Sequence, residues 1–260
     1  MANIAIITIC FNNLNDLIKT CASVDFQKTK PFVHWIINGS SDNSISDWLS
    51  NNLQPGYRKW INERDKGIAD AFNKGIKNAH GDIIHILNSG DIYAFDDILT
   101  IVEETFKHDT GIEWISGKIK TNRSGQWIVI GKRFDKKQLY KGMRSVSHPT
   151  WFLKKELYHK YGAFSEKYKI AMDYDLMCRI SGEPYQFVNK LMVIFDDTGV
   201  SNVKYPDSLK ENINVYESYF GYSVKCRLWQ YRLKLLYLLL QTGLGKWLFS
   251  LKKKAGLENV

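Results

Sequence analysis

The chain of 260 residues lacks most of the features that staple, anchor or mark a protein. Its four cysteines, Cys10, Cys21, Cys178 and Cys226, lie far apart with no CxxC pair. That argues against zinc ribbons, redox motifs and a disulfide framework, and fits a reducing compartment. No apolar run approaches the ~20 residues that span a bilayer; Leu235–Leu240 stops far short. The apolar start, Met1–Cys10, has no basic n-region, so it reads as a strand and not as a secretion signal. There is no GxSxG elbow, no Walker loop, no GxGxxG, no internal repeat and no low-complexity stretch. Between Lys225 and Lys254 there is not one acidic residue.

What is present is globular. An apolar fraction of 44% and a charged fraction of 24% are ordinary, and they exclude a fibre or a disordered tail protein. The length suits one large domain, or one domain with an appendage, and a sizeable core. The net charge of +9 is uneven: the last 36 residues carry +7 and the first 224 only +2. Body and tail therefore face different partners.

The first hundred residues alternate strand-like and helix-like segments. Ile4–Ile9, Val33–Ile37, Tyr57–Ile61 and Asp82–Leu87 read as strands; a stretch ending near Asp25, then Asp47–Leu53 and Gly67–Asn78, read as helices. Repeated βα units predict a parallel sheet with helices on both faces and ligands beyond the carboxyl ends of the strands. Polar clusters fall at those ends: Phe11-Asn12, Asn38–Asp42, Arg64-Asp65 and Asn88–Asp91. From about Glu113 the pattern is mixed, with strands at Trp114–Lys118, Trp127–Ile130 and Phe187–Phe195 and helices at Lys154–Tyr161 and Ala171–Ser181; beyond Pro206 it is all helical.

Each polar cluster has a bland reading and a chemical one. Asn88-Ser89-Gly90-Asp91 is a strand-end turn, or a carboxylate able to hold a hard cation. Asn38–Asp42 is an Asx turn into a helix, or a place where a base or ribose meets the backbone. Glu63–Gly67 reads as a capped helix start with solvated charges. Asp173 and Asp175 are two residues apart and do not share a helix face, so they form no carboxylate pair. They complement the helix dipole, or one faces a cleft while the other pairs with Arg179. His148-Pro149-Thr150 has no second histidine at metal spacing.

In order along the chain, these segments resemble family 2 of the glycosyltransferases. They are Ile7–Asn12, Asn38–Ser44, Glu63–Ile76, Gly81-Asp82, Leu87–Asp91, His148–Thr150, Asp173–Leu176 and Gly199-Val200-Ser201. The resemblance implies an α/β GT-A fold, a Rossmann-like mostly parallel sheet with flanking helices, over residues 1–203. A basic helical extension follows over 204–260. It implies a nucleotide-diphospho-sugar donor, with UDP-glucose, UDP-galactose or their N-acetyl forms expected. The acceptor implied is a lipid-diphosphate-linked saccharide of bacterial O-antigen or capsule synthesis, and the reaction inverts the anomeric centre. Residue by residue, it puts Thr8, Cys10, Phe11, Asn12 and Asn38 at the nucleoside, with Asp65 and Lys66 beside them. Asn88, Ser89 and Gly90 would lie at the sugar diphosphate, Asp91 on Mn²⁺ or Mg²⁺, and Asp173 would be the catalytic base. Two positions depart from the family pattern: Asn38 and Gly90 stand where it usually has acids. They motivate one alternative, a degenerate nucleotide-binding scaffold. A nucleotidyltransferase is another, but it needs a glycine-rich basic loop that Phe11–Leu14 does not supply.

At 100° per residue, a helix through 225–240 has two apolar faces, Leu228/Tyr231/Leu235/Leu238/Leu239 and Trp229/Leu233/Leu236/Tyr237/Leu240, edged by basic residues. One face packs on the body and leaves the other for an anionic membrane surface, reached through Lys225–Lys254 at the inner leaflet. A helical hairpin closing the core, or a homodimer contact, is the competing reading. A nucleic-acid stripe fits less well, because the charges flank apolar faces.

Overall fold

The structure is a computed structural model. It describes residues 2–123, 125–143, 146–196 and 204–243, with Gly245 and Trp247; Gly199–Ser201 and the basic residues Lys246, Lys252, Lys253 and Lys254 of the expectations above lie outside these. Strands β1 (Ile4–Cys10), β2 (Val33–Asn38), β3 (Arg58–Asn62) and β4 (Ile83–Ile86) form a parallel block in the order β3-β2-β1-β4. β1 is central and buried on both faces, as its unbroken apolar run predicts. Helices α1 (Leu14–Asp25), α2 (Ser44–Asn51) and α3 (Ile68–Asn78) make the crossovers. α2 begins earlier than its expected Asp47 because the Asp42 carboxylate accepts the Ser44 N–H and starts the turn.

The rest of the sheet is mixed, and with the parallel block the whole is mostly parallel, as expected. β8 (Phe152–Lys154) joins β4 antiparallel, β6 (Trp114–Arg123) joins β8 antiparallel, and β9 (Tyr185–Phe195) runs parallel to β6. The short β5 (Ile92–Tyr93) and β7 (Gln126–Ile130) pair antiparallel to β9 and β6. α4 (Ile98–His108) packs Ile98, Leu99, Val102 and Phe106 against Ile4 and Ile6 on one face of the sheet. On the other face α3, α5 (Lys155–Tyr161) and α6 (Met172–Ile180) cover Ala5 and Ile7. α7 (Tyr205–Phe220) packs on α6, and α8 (Val224–Gln241) on α7 and on the 3₁₀ turn at Lys136–Lys141.

One polar chain crosses the parallel block. Arg58 Nε donates to His34 Nδ1 (3.3 Å), His34 Nε2 meets the Thr8 hydroxyl (2.9 Å), and Thr8 donates to the Leu87 carbonyl (2.8 Å). All three side chains are buried. Burial, and then the neighbouring Arg58 charge, hold His34 well below the ordinary histidine value, so the ring stays neutral and Nδ1 is free to accept. Arg58 is paired outward with Asp25 (2.6 Å). The chain thus ends on the carbonyl that precedes Asn88–Asp91. Arg58→Leu strands His34 and Asp25 and is expected to cost about 2–3 kcal/mol, read as a lower urea midpoint at unchanged slope.

Candidate functional site

The carboxyl ends of the parallel strands stand level. Asn38 is in register with Cys10 on one side and Asn62 on the other, and Ser89 N donates to Ile9 O (3.2 Å). The four loops that leave this edge carry all the polar clusters flagged in the first hundred residues. Asn12, at φ 52°, ties the first two loops together: its Oδ1 accepts the Ser41 N–H (3.0 Å), and its backbone N–H donates to Ser40 Oγ (2.9 Å). Asparagine tolerates this left-handed conformation because its short amide bonds locally.

The structure divides the expected nucleoside residues. Phe11 and Asn12 are exposed at the strand ends. Thr8 is not at a pocket wall: it is fully buried, with its hydroxyl spent in the cross-sheet chain. Cys10, which alternation puts on the same side of β1, is buried too, its thiol directed at Ile37 O (3.6 Å), and burial pushes that thiol up to about 12. Asn38 is 4% exposed; its oxygen accepts the Ser40 N–H (3.1 Å) and its amide donates to Asn62 (3.0 Å). It braces the turn. Asp65 caps the Gly67 N–H (3.0 Å) and lies against Gly39, where any side chain would fall on its carboxylate. Lys66 is exposed, and its backbone N–H is taken by Asp70 (2.9 Å).

The turn after β4 is different, because its oxygens are unspent. Asp91 is 2% exposed. Its Oδ1 accepts the Asp196 N–H (3.0 Å), while its Oδ2, Asn88 Oδ1 and Ser89 Oγ have no hydrogen-bond partner among the described residues. Burial, partly offset by that N–H and reinforced by the Asp196 charge, pushes Asp91 up to about 8. Unpaired buried oxygens of hard character are a donor set for Mg²⁺ or Mn²⁺. No cluster of three His, Cys, Asp or Glu side chains occurs among the described residues; Asp196 is the carboxylate that accompanies Asp91. Gly90 has φ 104°, and a Cβ there would stand 3.0 Å from Asp196 Oδ2. An acid at 90 would be strained and like-charged with Asp196, so the departure at Gly90 goes with a carboxylate brought from the end of β9. The turn is clasped by Thr20 of α1, whose hydroxyl accepts the Gly90 N–H (3.0 Å) and donates to Asp91 O (2.8 Å).

Asp173 opens α6. Its side chain is 29% exposed, so solvent reaches it; Oδ1 has no partner among the described residues, and Oδ2 is 3.8 Å from His148 Nδ1. His148 sits in the 3₁₀ turn His148–Thr150 beside β4, its ring among Phe72, Trp151 and Phe164. Burial lowers His148 and raises Asp173. Asp175 takes the other role left open for the pair: it is buried, bound by Arg179 Nη2 (2.8 Å) and by the Tyr219 hydroxyl (2.8 Å). The start of α6 is held from α7. The Glu211 carboxylate accepts the backbone N–H groups of Lys169 (3.2 Å), Ile170 (2.9 Å) and Ala171 (2.8 Å), the residues just before the helix. Thr20, Asp196 and Glu211 were not legible as site residues; each acts across a long sequence separation, through an otherwise ordinary helix or strand-end position.

These features agree with the comparison of sequences. The profile of glycosyl transferase family 2 matches residues 5–162. The chain belongs to glycosyl transferase family 2. It is a glycosyltransferase with a GT-A-like fold. An uncharacterized glycosyltransferase of Mycobacterium tuberculosis is 29% identical over 210 residues, 79% of each chain. A PGL/p-HBAD biosynthesis glycosyltransferase of Mycobacterium bovis is 25% identical over 154 residues, 57% of this chain and 58% of that one. Among solved structures, Staphylococcus aureus TarS 1–349 superposes with a TM-score of 0.63 at 15% identity, covering 84% of this chain and 66% of that fragment. The mannosyltransferase PcManGT of Pyrobaculum calidifontis, solved with GDP-Man and Mn²⁺, gives 0.62 at 12% identity, covering 99% of this chain and 81% of that one. The family match ends before α6, so Asp173 and Glu211 lie beyond it.

Two predictions follow from the geometry at α6. Asp173 titrates above its unfolded value, so its ionised form costs stability at every pH above the ordinary carboxylate value of about 3.9. Asp173→Asn should raise the melting temperature at pH 7–8, and the gain should vanish near pH 3, where the carboxyl is protonated in both states. Glu211→Ala should cost about 1–2 kcal/mol and speed hydrogen exchange at the amides of 169–171, with Glu211→Gln retaining part of the protection.

Proposed function

We propose that the protein transfers a sugar from a nucleoside-diphosphate sugar to a hydroxyl of a lipid-diphosphate-linked saccharide, inverting the anomeric centre, in the synthesis of a bacterial surface glycan. The observation that carries this reading is a pair of carboxylates, Asp91 and Asp173, each with an oxygen that has no partner among the described residues, one on the β4 turn and one beside His148 next to β4. Asp91, with Asp196, Asn88 and Ser89 around it, would hold Mg²⁺ or Mn²⁺. Such an ion neutralises charge on a leaving diphosphate. Phe11, Asn12 and Asp65 would meet the nucleoside, with Asn38 and Gly39 shaping the turn beneath it.

Asp173 acts as general base. Its raised proton affinity suits it to take a proton from an acceptor hydroxyl, and His148, lowered by burial, stands 3.8 Å away without an ion pair that would quench the base. The freed oxygen forms the new bond to the anomeric carbon as the bond to the diphosphate breaks. The buried aromatic wall of Phe72, Trp151 and Phe164 keeps water from that side. UDP sugars are the expected donors; GDP-Man in the mannosyltransferase neighbour keeps a second nucleotide open to test.

The acceptor's lipid calls for a membrane contact, and α8 offers one. Leu228, Tyr231, Leu235, Leu238 and Leu239 are exposed, while Cys226, Gln230 and Leu233 pack inward; Leu236 and Leu240, on the face that packs through Leu233, are exposed as well, because the last turns of α8 run past the body. Lys225 and Arg232 lie along one edge of the exposed face, and Arg227 and Lys234 along the other. Basic residues contribute about 1 kcal/mol each at an anionic surface. No helix among the described residues is long and apolar enough to cross a membrane, so this contact would be peripheral.

Three measurements test the reading. UDP, GDP and dTDP titrated with Mn²⁺ and with EDTA should give metal-dependent binding of one nucleotide, lost in Asp91→Ala; equal binding with and without metal overturns the metal assignment. Asp173→Asn should lower turnover about 10²–10⁴-fold while nucleotide affinity holds; normal turnover removes Asp173 as base. Leu235→Glu should weaken sedimentation with phosphatidylglycerol vesicles, and unchanged sedimentation would leave α8 to a second subunit.

A further inference from the structure

Beside the base lies a small cavity that no part of the donor site uses. Its volume is about 110 Å³, a few times the ~30 Å³ share of one water, which suits a phosphoryl-sized group. Leu139, Val146 and Met177 form its buried floor, and Lys132, Arg133 and Lys141 stand at its rim. Asp135 is the acid in the lining; its carboxylate is engaged by the Lys137 N–H (2.9 Å) and the Gln138 amide (3.0 Å). The lining is therefore net cationic.

Two chain connections put this cavity next to the proposed reaction centre. Met177 is one helical turn after Asp173 on the same face of α6. Val146 is two residues before His148, which lies against Asp173. On its other side the lining segment is fastened to α8: Gln230 donates to Tyr140 O (3.2 Å), Lys141 Nζ is 4.9 Å from the Trp229 ring, and Lys225 Nζ is 4.2 Å from the Tyr140 ring. The cavity thus sits between the base and the helix whose outer face is apolar.

We propose that this cavity binds the diphosphate of the acceptor. The assignment rests on the transferase reading above, and the order explains the chemistry: sugar hydroxyl at Asp173, diphosphate among Lys132, Arg133 and Lys141, lipid along α8. Arginine and lysine hold a diphosphate through charge-assisted hydrogen bonds, and a cavity with an apolar floor strengthens them by excluding water on one side.

Inorganic pyrophosphate titrated into the full chain in EDTA tests it. Wild type should bind, and Lys132→Gln/Arg133→Gln should bind at least ~10-fold more weakly, each lost contact to a charged group weighing heavily. Both side chains are exposed, where losing a surface contact costs little, so the melting temperature should move by no more than a few degrees. UDP with Mn²⁺, measured separately, should bind both proteins equally, and UDP added in EDTA should not displace pyrophosphate from wild type. Equal pyrophosphate affinity in the two proteins, or displacement by UDP, overturns the proposal. Phosphatidylglycerol vesicles that compete with pyrophosphate, where phosphatidylcholine vesicles do not, would give the cavity to lipid headgroups and overturn the acceptor assignment. Loss of nucleotide binding in both proteins would instead strike the transferase reading, because the dependence on Lys132 and Arg133 is read without nucleotide.

Discussion

A buried carboxyl group with an oxygen left unpaired is costly, and a fold keeps one only where something else repays it. Asp91 is that group here. The parallel block brings the β4 turn to the level of the other strand ends. The chain from Arg58 through His34 and Thr8 ends on the carbonyl before the turn, Thr20 clasps the turn from α1, and the Asp196 N–H fixes one carboxylate oxygen. Every one of these contacts orients Asp91, and none satisfies Oδ2. A bound dication would reverse the balance, since it favours the ionised form that burial disfavours.

The second carboxylate is supported by different means. Asp173 is partly open to solvent and leans on a neutral histidine set in an aromatic wall. Its helix is anchored twice from α7, by Glu211 on the amides before the helix and by Tyr219 on Asp175. The C-terminal helices are therefore no loose appendage. α7 holds the helix that carries Asp173, while α8 holds the 3₁₀ turn at Lys136–Lys141 and turns an apolar face outward.

The part of the fold legible in the sequence is the part governed by local pattern. The β1 apolar run, the period of α3 and the polar clusters at the strand ends name the parallel block and the edge at which its loops gather. α4 also carries its period in Ile98, Leu99, Val102 and Phe106. What could not be read is pairing at a distance. Thr20 and Glu211 are unremarkable helical residues until the fold brings Asp91 and the start of α6 to them. Thr8 and Asn38 carry the opposite lesson: a motif names a neighbourhood, and strand alternation decides which side chains face it. At Gly90 the missing acid is matched by Asp196, a residue 106 positions later, which no spacing rule connects to it.

Asp91 Oδ2, without a partner among the described residues, is the atom proposed to bind metal at a nucleotide-sugar site. The most direct measurement is a crystal structure grown with UDP and Mn²⁺, with anomalous data collected at the manganese edge. The account predicts one strong peak at bonding distance from Asp91 Oδ2, with the diphosphate of UDP on its far side and Asp196 adjacent. A peak elsewhere, or UDP seated at the strand ends with Asp91 still buried and metal-free, would contradict it.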